Sequence, residues 1–382
     1  MERRGVLKLV GGAAGAAVFG ASTMGNEAEE PPRPERTDEE SPPEPSRNEK
    51  GEERLRRGEV GHELVGVGAH DLLANDELGE LLSRLERESD GAVSVEVVGE
   101  SNEGREIHSA RVGEGDVDVL AIAEQHGHEP FQAEGHVAAL GYLGTADRSD
   151  VRELRRRITL HAIPRVNPDG FAARQRVNHA PDAPENDPEA GLHTREGGWD
   201  PNRYHRYDWE ESTLYRNRPE EYPENPVPES RYVVELAKEI DPEWVLDCHR
   251  QGPHVDSNGD LIDASIGWPQ NPDVPADAQK RSQQLATVLY DRLPEVEECH
   301  LTEFTAAGEY PGIARNAHAL AGHGSVLFEM STGTRGGIGY RIQLTAEALL
   351  VAALATADGS LHDADPSRVE EIPAEWGTTV NL

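Results

Sequence analysis

Two histidines and two glutamates stand just beyond three apolar runs of the chain. Val117 to Ala123 is followed by Glu124-Gln125-His126-Gly127-His128-Glu129-Pro130, Trp244 to Leu246 by Asp247-Cys248-His249, and Ser325 to Phe328 by Glu329. His126, Glu129 and His249 together offer two imidazoles and a carboxylate, the donor set of a catalytic zinc that keeps a position for water. Glu329 is a fourth functional group, a carboxylate able to take a proton from such a water and return it to a leaving amine. His-x-x-Glu recurs at His193/Glu196 and at His300/Glu303, but neither copy follows an apolar strand, and both read as solvated side chains. The HExxH helix of another zinc chemistry is absent, since His62-Glu63 is followed by Leu64, Val65 and Gly66.

The intervening sequence carries further polar motifs. Arg165-Val166-Asn167-Pro168-Asp169-Gly170 follows an apolar run from Ile158; Arg176-Val177-Asn178 and then Asp200-Pro201-Asn202-Arg203 come after it. In this order the six motifs resemble those of zinc metallocarboxypeptidases of the carboxypeptidase A type, over about Gly61 to Ala355. The resemblance implies one zinc per chain held by His126, Glu129 and His249, with Glu329 as the general base. It implies that Asn202 and Arg203 grip the C-terminal carboxylate of a peptide, and that Arg176 helps hold the oxyanion, with Arg174 two residues away. Asn167-Pro168-Asp169-Gly170 matches a structural turn, and its Pro and Gly suit one on backbone grounds. Tyr310 is a candidate by region for the substrate-capping tyrosine. Two departures bear on the pocket: Arg250 stands after His249 where the family commonly has serine, and long polar segments run from His179 to Trp199 and from Tyr204 to Pro228.

Such residues have to be placed by a scaffold, and apolar strand-like runs alternate with stretches of helical spacing. Strands are expected over Val93 to Val98, Val117 to Ala123, Ile158 to Pro164, Trp244 to Asp247 and Ser325 to Phe328. Helices are expected over Asp71 to Glu88, Gln132 to Leu143, Arg231 to Ile240, Ala276 to Leu293 and Ile342 to Ala355. This alternation predicts an α/β fold with a central mixed, mainly parallel sheet and helices on both faces. Ligands of such sheets bind beyond the carboxyl ends of the strands, where the chemistry-bearing residues stand.

Composition bounds the partners. The chain has 382 residues and 72 acidic against 37 basic side chains, a formal charge of −35, with lysine at positions 8, 50, 238 and 280 only. Phosphate backbones and anionic membranes need clustered cations, so nucleic acid is excluded as the main partner. The acidic, lysine-poor surface resembles that of proteins from strongly saline settings, where salt screens dense carboxylates; an ordinary acidic secreted protein is the alternative. Cys248 and Cys299 are the two cysteines, too few for a disulfide scaffold, and their pairing stays open.

The start reads Met-Glu-Arg-Arg-Gly-Val-Leu-Lys and continues into a small-residue apolar run to about Ala21, too short to span a bilayer comfortably. With Arg3 and Arg4 adjacent it resembles a twin-arginine export signal, which implies the twin-arginine machinery as a partner. Residues 27–57 hold 11 acidic residues, 7 basic residues and 6 prolines, with Leu55 the only large apolar one, a composition that cannot build a core. The expected organisation is an export signal at 1–26, a disordered acidic linker at 27–58, a catalytic domain at 59–361 and a loose tail at 362–382. The mature protein is expected to be secreted or extracytoplasmic, with no stable membrane insertion after processing, or tethered if the signal is kept.

Three functions compete. The first is an exported zinc carboxypeptidase acting on peptides. The second is a zinc deacylase of small N-acyl amino acids, which also carry a free α-carboxylate. The third, a non-catalytic binding module, has no use for Glu329. A serine hydrolase has little support, because no Gly-x-Ser-x-Gly elbow occurs.

Overall fold

The computed structural model describes residues 72–374, apart from 196, 257, 297, 307 and 333–336, together with Thr378–Thr379. The predicted export signal, the linker and the first residues of the catalytic domain, 1–71, lie outside the described residues.

Eight strands form one sheet: β1 (Val93–Glu100), β2 (Glu106–Gly113), β3 (Val117–Ala123), β4 (Ile158–Ile163), β5 (Trp244–Gln251), β6 (Ala264–Gly267), β7 (Leu301–Glu303) and β8 (Gly324–Ser331). Their order across the sheet is β1-β2-β4-β3-β5-β8-β6-β7. The central four, β4, β3, β5 and β8, run parallel, while β1, β2 and β6 pair antiparallel with their inner neighbours. The sequence explains the division. β4 (ITLHAI) is buried along its whole length and β5 (WVLDCHRQ) over its first six residues, as strands covered on both faces must be. β1 (VSVEVVGE), at the edge, has most of its residues partly or fully exposed. The expected α/β architecture is therefore the observed one.

Helices cover both faces. On one, α1 (Asn75–Glu88), α2 (Gln132–Thr145), α3 (Ser149–Arg157), α7 (Ala276–Val296) and α9 (Gly337–Ala357) build the larger core. On the other, α6 (Pro228–Ile240) and the start of α8 (Ala314–Leu320) pack over Leu120, Ile122, Ile163 and Val245. Three short helices, α4 (Pro168–Ala173), α5 (Thr213–Asn217) and α10 (Ser360–Asp363), sit in the connections.

Three differences from expectation have physical causes. α9 is longer than the periodicity suggests and is the one helix among the described residues long and apolar enough to cross a membrane; 72% of its most apolar window is buried, against α2 and α7, so it serves as a core helix. The body also does not end at Leu361: a 3-10 turn at Pro366–Glu371 returns to α7 and brings Val369 and Ile372 into the core. The polar segments between His179 and Pro228 carry a small core of their own, built from Leu192, Trp199, Tyr204, Leu214 and Val227.

β4 lies to one side of β3 and β5 to the other. The chain thus reverses its direction of travel across the sheet between β3 and β5, and a crevice opens beyond their carboxyl ends.

Candidate metal centre and active site

The residues that flank this crevice are those singled out by the sequence. The chain leaves β3 through Glu124, whose φ of 53° turns it sharply off the strand. His126 and Glu129 sit on the loop that follows, before α2. His249 is carried on β5, and Glu329 on β8 is its direct register partner.

Nδ1 of His126 lies 2.8 Å from one oxygen of Glu129, and Nδ1 of His249 lies 3.0 Å from the other. The two Nδ1 atoms are 3.2 Å apart. All three side chains are buried, and one ligand atom from each falls within 4.8 Å of the others. A tetrahedral zinc with bonds of about 2.0–2.1 Å to nitrogen separates its ligand atoms by about 3.3 Å. The triad fits one zinc ion in donor type and in spacing.

The far nitrogens are also held. Nε2 of His126 is 3.2 Å from Asp200, and Nε2 of His249 is 2.9 Å from Asp247. A carboxylate on the outer nitrogen fixes the ring and leaves Nδ1 as the lone-pair donor. The amide of Gln125 donates to Asp247 at 2.8 Å, and His205 Nε2 lies 2.5 Å from the Gln125 carbonyl oxygen. The backbone N–H of Arg250 donates to Glu129 at 3.1 Å, so the residue that departs from the family pattern holds the carboxylate ligand through its main chain.

Behind the metal loop stands the Asn167-Pro168-Asp169-Gly170 turn. Asn167 donates from its side chain to the carbonyl of Gln125 at 3.0 Å and accepts from Gly170 N–H at 2.8 Å, capping α4. Arg165 donates to Glu124 at 2.5 Å and lies against the ring of Phe171. Asp169 receives Ser101 at 2.6 Å and Arg105 at 2.7 Å. These contacts fasten the metal loop to the neighbouring strand ends.

On the opposite wall, Arg176 donates to Asp200 at 2.9 Å and stands 3.6 Å from Glu129. Arg203 donates to the carbonyl of Asn202 at 2.6 Å and lies 4.0 Å from Asp200. Asn202 is engaged within the protein: its oxygen accepts from the N–H of Ala314 at 2.8 Å and its nitrogen lies 3.1 Å from His249. Tyr310 is half-buried, with its ring 4.6 Å from that of His193 and the Arg206 guanidinium 5.4 Å away. His193, one of the two decoy histidines, therefore lines this neighbourhood without being a ligand; the other, His300, faces Asp256 at 3.2 Å.

Electrostatics separates the carboxylates. Burial opposes ionisation of Glu129, but His126 and His249 together outweigh it and hold its carboxyl well below the usual range. Asp200 is buried too and is held low by Arg176, Arg203 and His126. Glu329 goes the other way: burial, reinforced by the nearby charges of Glu129 and Asp247 and opposed by His249 and Arg176, pushes it up to about 8. Burial is thus outweighed at Glu129 and not at Glu329. Cys248, between Asp247 and His249, is a free thiol whose burial raises it well above the usual thiol range, so no disulfide constrains the ligand beside it.

Sequence reasoning did not assign roles to Gln125, Asp200 or His205, and it passed over Arg315, which is wholly buried next to Ala314. Gln125 and Asp200 adjoin residues already singled out, and that adjacency was the available signal. Arg315 was detectable only as a charge within the helix start Ala314-Arg315-Asn316-Ala317.

A mixed sheet with a His-Glu-His centre at its switch point defines a metallohydrolase of the carboxypeptidase type. A sequence profile described as zinc carboxypeptidase matches residues 78–298, and the chain belongs to that family. No curated protein matches the sequence. Among solved structures, the carboxypeptidase A of Helicoverpa armigera shares the fold with a TM-score of 0.57 at 17% identity, over 80% of this chain and 81% of that one. A carboxypeptidase A from Shewanella denitrificans, titled as putative, gives 0.55 at 20%, over 75% and 70%. A metallo-carboxypeptidase from Burkholderia cenocepacia gives 0.54 at 19%, over 75% and 69%.

Proposed function

We propose that this chain is an exported carboxypeptidase that releases C-terminal residues from peptides. The observation that carries it is the pairing of a complete His126, Glu129, His249 ligand set with Glu329 in register beside His249. When bound, zinc supplies an acidified water and polarises the scissile carbonyl. Glu329, with no side-chain hydrogen bond to another described residue, takes the proton at its carboxylate and delivers it to the leaving nitrogen. Arg176, oriented by Asp200, meets the negative charge that develops on the former carbonyl oxygen. Arg203 receives the terminal carboxylate through parallel N–H bonds and sets which amide is cleaved. Tyr310, beside His193, covers the substrate end. Asn202 holds the start of α8 through its oxygen, which leaves its amide nitrogen to donate to the same terminal carboxylate.

Arg3-Arg4 and the short apolar run support export through the twin-arginine route and a site of action outside the cytoplasm. Cleavage of the chain after about residue 26, with loss of export in an Arg3→Lys, Arg4→Lys variant, tests that part.

Zinc content and C-terminal release from N-blocked peptides of two to six residues test the activity. One zinc per chain, with release lost in Glu329→Gln while zinc is kept, is the expected result. Cleavage confined to N-blocked dipeptides would replace the peptidase reading with the deacylase one.

A further inference from the structure

Arg315 is one of the largest wholly buried side chains of the protein, and no carboxylate within ion-pair distance neutralises it among the described residues. Its Nη2 donates to the carbonyl of Ala306 at 2.5 Å, Nη1 reaches that of Phe304 only at 3.5 Å, and Nε has no partner. A buried guanidinium with no carboxylate within ion-pair distance and one N–H without a partner costs stability, and protein interiors rarely retain one without a use.

Its position indicates the use. A Cβ on Gly267 would lie 2.5 Å from Nη1, so the guanidinium occupies the space a side chain at 267 would fill. Gly267 pairs with Leu327 across β6 and β8, and paired residues face the same side of a sheet. Leu327 and Glu329, two apart on β8, also share that side, about 6.6 Å from one another. Arg315 therefore stands on the catalytic face, one side-chain step before the proposed base. Glu329 is the largest of the charges that act on it from beyond ion-pair distance, Asp247 and Glu303 add to it, and the positive charge of Arg203 opposes them. Arg203 and Arg315 are also tied structurally: Asn202, next to Arg203, caps the N–H of Ala314, next to Arg315.

Two guanidiniums that repel each other, both beside one catalytic centre in a chain of charge −35, ask for a ligand with two carboxylates. We propose that Arg315 determines the specificity of the site, selecting peptides that end in glutamate or aspartate, whose side-chain carboxylate it binds while Arg203 holds the α-carboxylate. This rests on the carboxypeptidase reading given above. A buried guanidinium with its Nε unpaired and no carboxylate within ion-pair distance discriminates against an uncharged isostere, which cannot supply the missing charge.

The test uses zinc-loaded protein and N-blocked peptides that differ only in a C-terminal Glu, Gln, Leu or Lys. The Glu peptide should exceed the Gln peptide in kcat/KM by on the order of a hundredfold, and Arg315→Gln should bring the ratio close to one. Comparable rates for Glu, Gln, Leu and Lys in the unaltered protein overturn the proposal whatever the variant does. Should Arg315→Gln not fold, Gly267→Ala, whose new Cβ displaces Nη1, serves in its place and should lower the same ratio. Calorimetry of L-glutamate and L-glutamine with zinc-loaded Glu329→Gln separates this proposal from the activity itself. Tighter binding of glutamate, lost when Arg315→Gln is added, upholds the role of Arg315 even if no peptide is cleaved. Equal binding of the two amino acids overturns it.

Discussion

Gly127 and Gly170 touch backbone to backbone: a Cβ on Gly127 would lie 1.8 Å from the carbonyl carbon of Gly170. The first glycine lies inside the metal loop, between His126 and His128, and the second ends the Asn-Pro-Asp-Gly turn. The two motifs, far apart in sequence, are thus halves of one contact, and the turn supports the ligands by excluding any side chain at 127.

Gly127→Ala should therefore separate the halves. Neither side is a flexible side chain that could give way, so the loop itself has to move. We expect a loss of about 3 kcal/mol in unfolding free energy and a weaker hold on zinc, read by denaturant titration and by competition with a chelator. A variant of unchanged stability and zinc affinity would show that the loop tolerates the shift.

The orienting carboxylates separate two functions. Asp247 touches His249 at 2.9 Å and lies in the strand below the site, whereas Asp200 serves both His126 at 3.2 Å and Arg176 at 2.9 Å. Asp247→Asn should weaken zinc affinity by about 10- to 100-fold, with turnover restored at saturating zinc. Asp200→Asn should lose zinc affinity similarly and keep a turnover defect at saturating zinc, because Arg176 has lost its anchor. Full recovery of both variants at high zinc would remove Arg176 from the reaction.

The ligand set was legible because each ligand follows a run of apolar residues long enough to read as a strand, and spacing plus position distinguished His126-x-x-Glu129 from its two decoys. The strands β2, β6 and β7 were not legible. β2 (EIHSARVG) mixes charged and apolar residues, and β6 and β7 are four and three residues long, too short for any period to show. Their pairing is decided by the neighbours that close the sheet around them. Arg315 was missed for a related reason: its meaning depends on Gly267, 48 positions earlier, which only the register of β6 with β8 brings beside it.

Acid and alkali should act on the fold through different groups. Glu229, at the start of α6, is buried and accepts from Asn178 at 2.9 Å, and burial raises it to about 7. Its folded value lies above the unfolded one, near 4.5, so its protonated form contributes stability that is complete below about 4.5 and is lost as pH rises through about 7. The change is roughly 3 kcal/mol across that window. Asp200, held low, behaves in the opposite sense: its contribution is present above the unfolded carboxyl value and is lost in more acidic solution. Glu229→Gln mimics the protonated acid and should be more stable than the unaltered protein at pH 8 but not at pH 4.5. An identical pH profile for the two proteins would mean that Glu229 is ionised without cost.

The charge of −35 sets the last prediction. The ion pairs that several exposed arginines make, such as Arg84 with Glu88 and Arg157 with Glu153, are individually weak, and 72 acidic against 37 basic side chains leave an excess of 35 carboxylates that no cation can match. Like charges spread over one folded surface repel, and the repulsion is relieved on unfolding, so dilution of salt should favour the unfolded chain. Screening lengthens from about 3 Å at 1 M salt to about 30 Å at 0.01 M, enough for repulsion to extend across whole faces of the domain. Thermal unfolding should therefore move upward by several degrees between 0.01 M and 1 M potassium chloride. A melting temperature that is flat across this range would mean that the carboxylates are spaced widely enough to ignore one another, and the saline reading of the composition would fall with it.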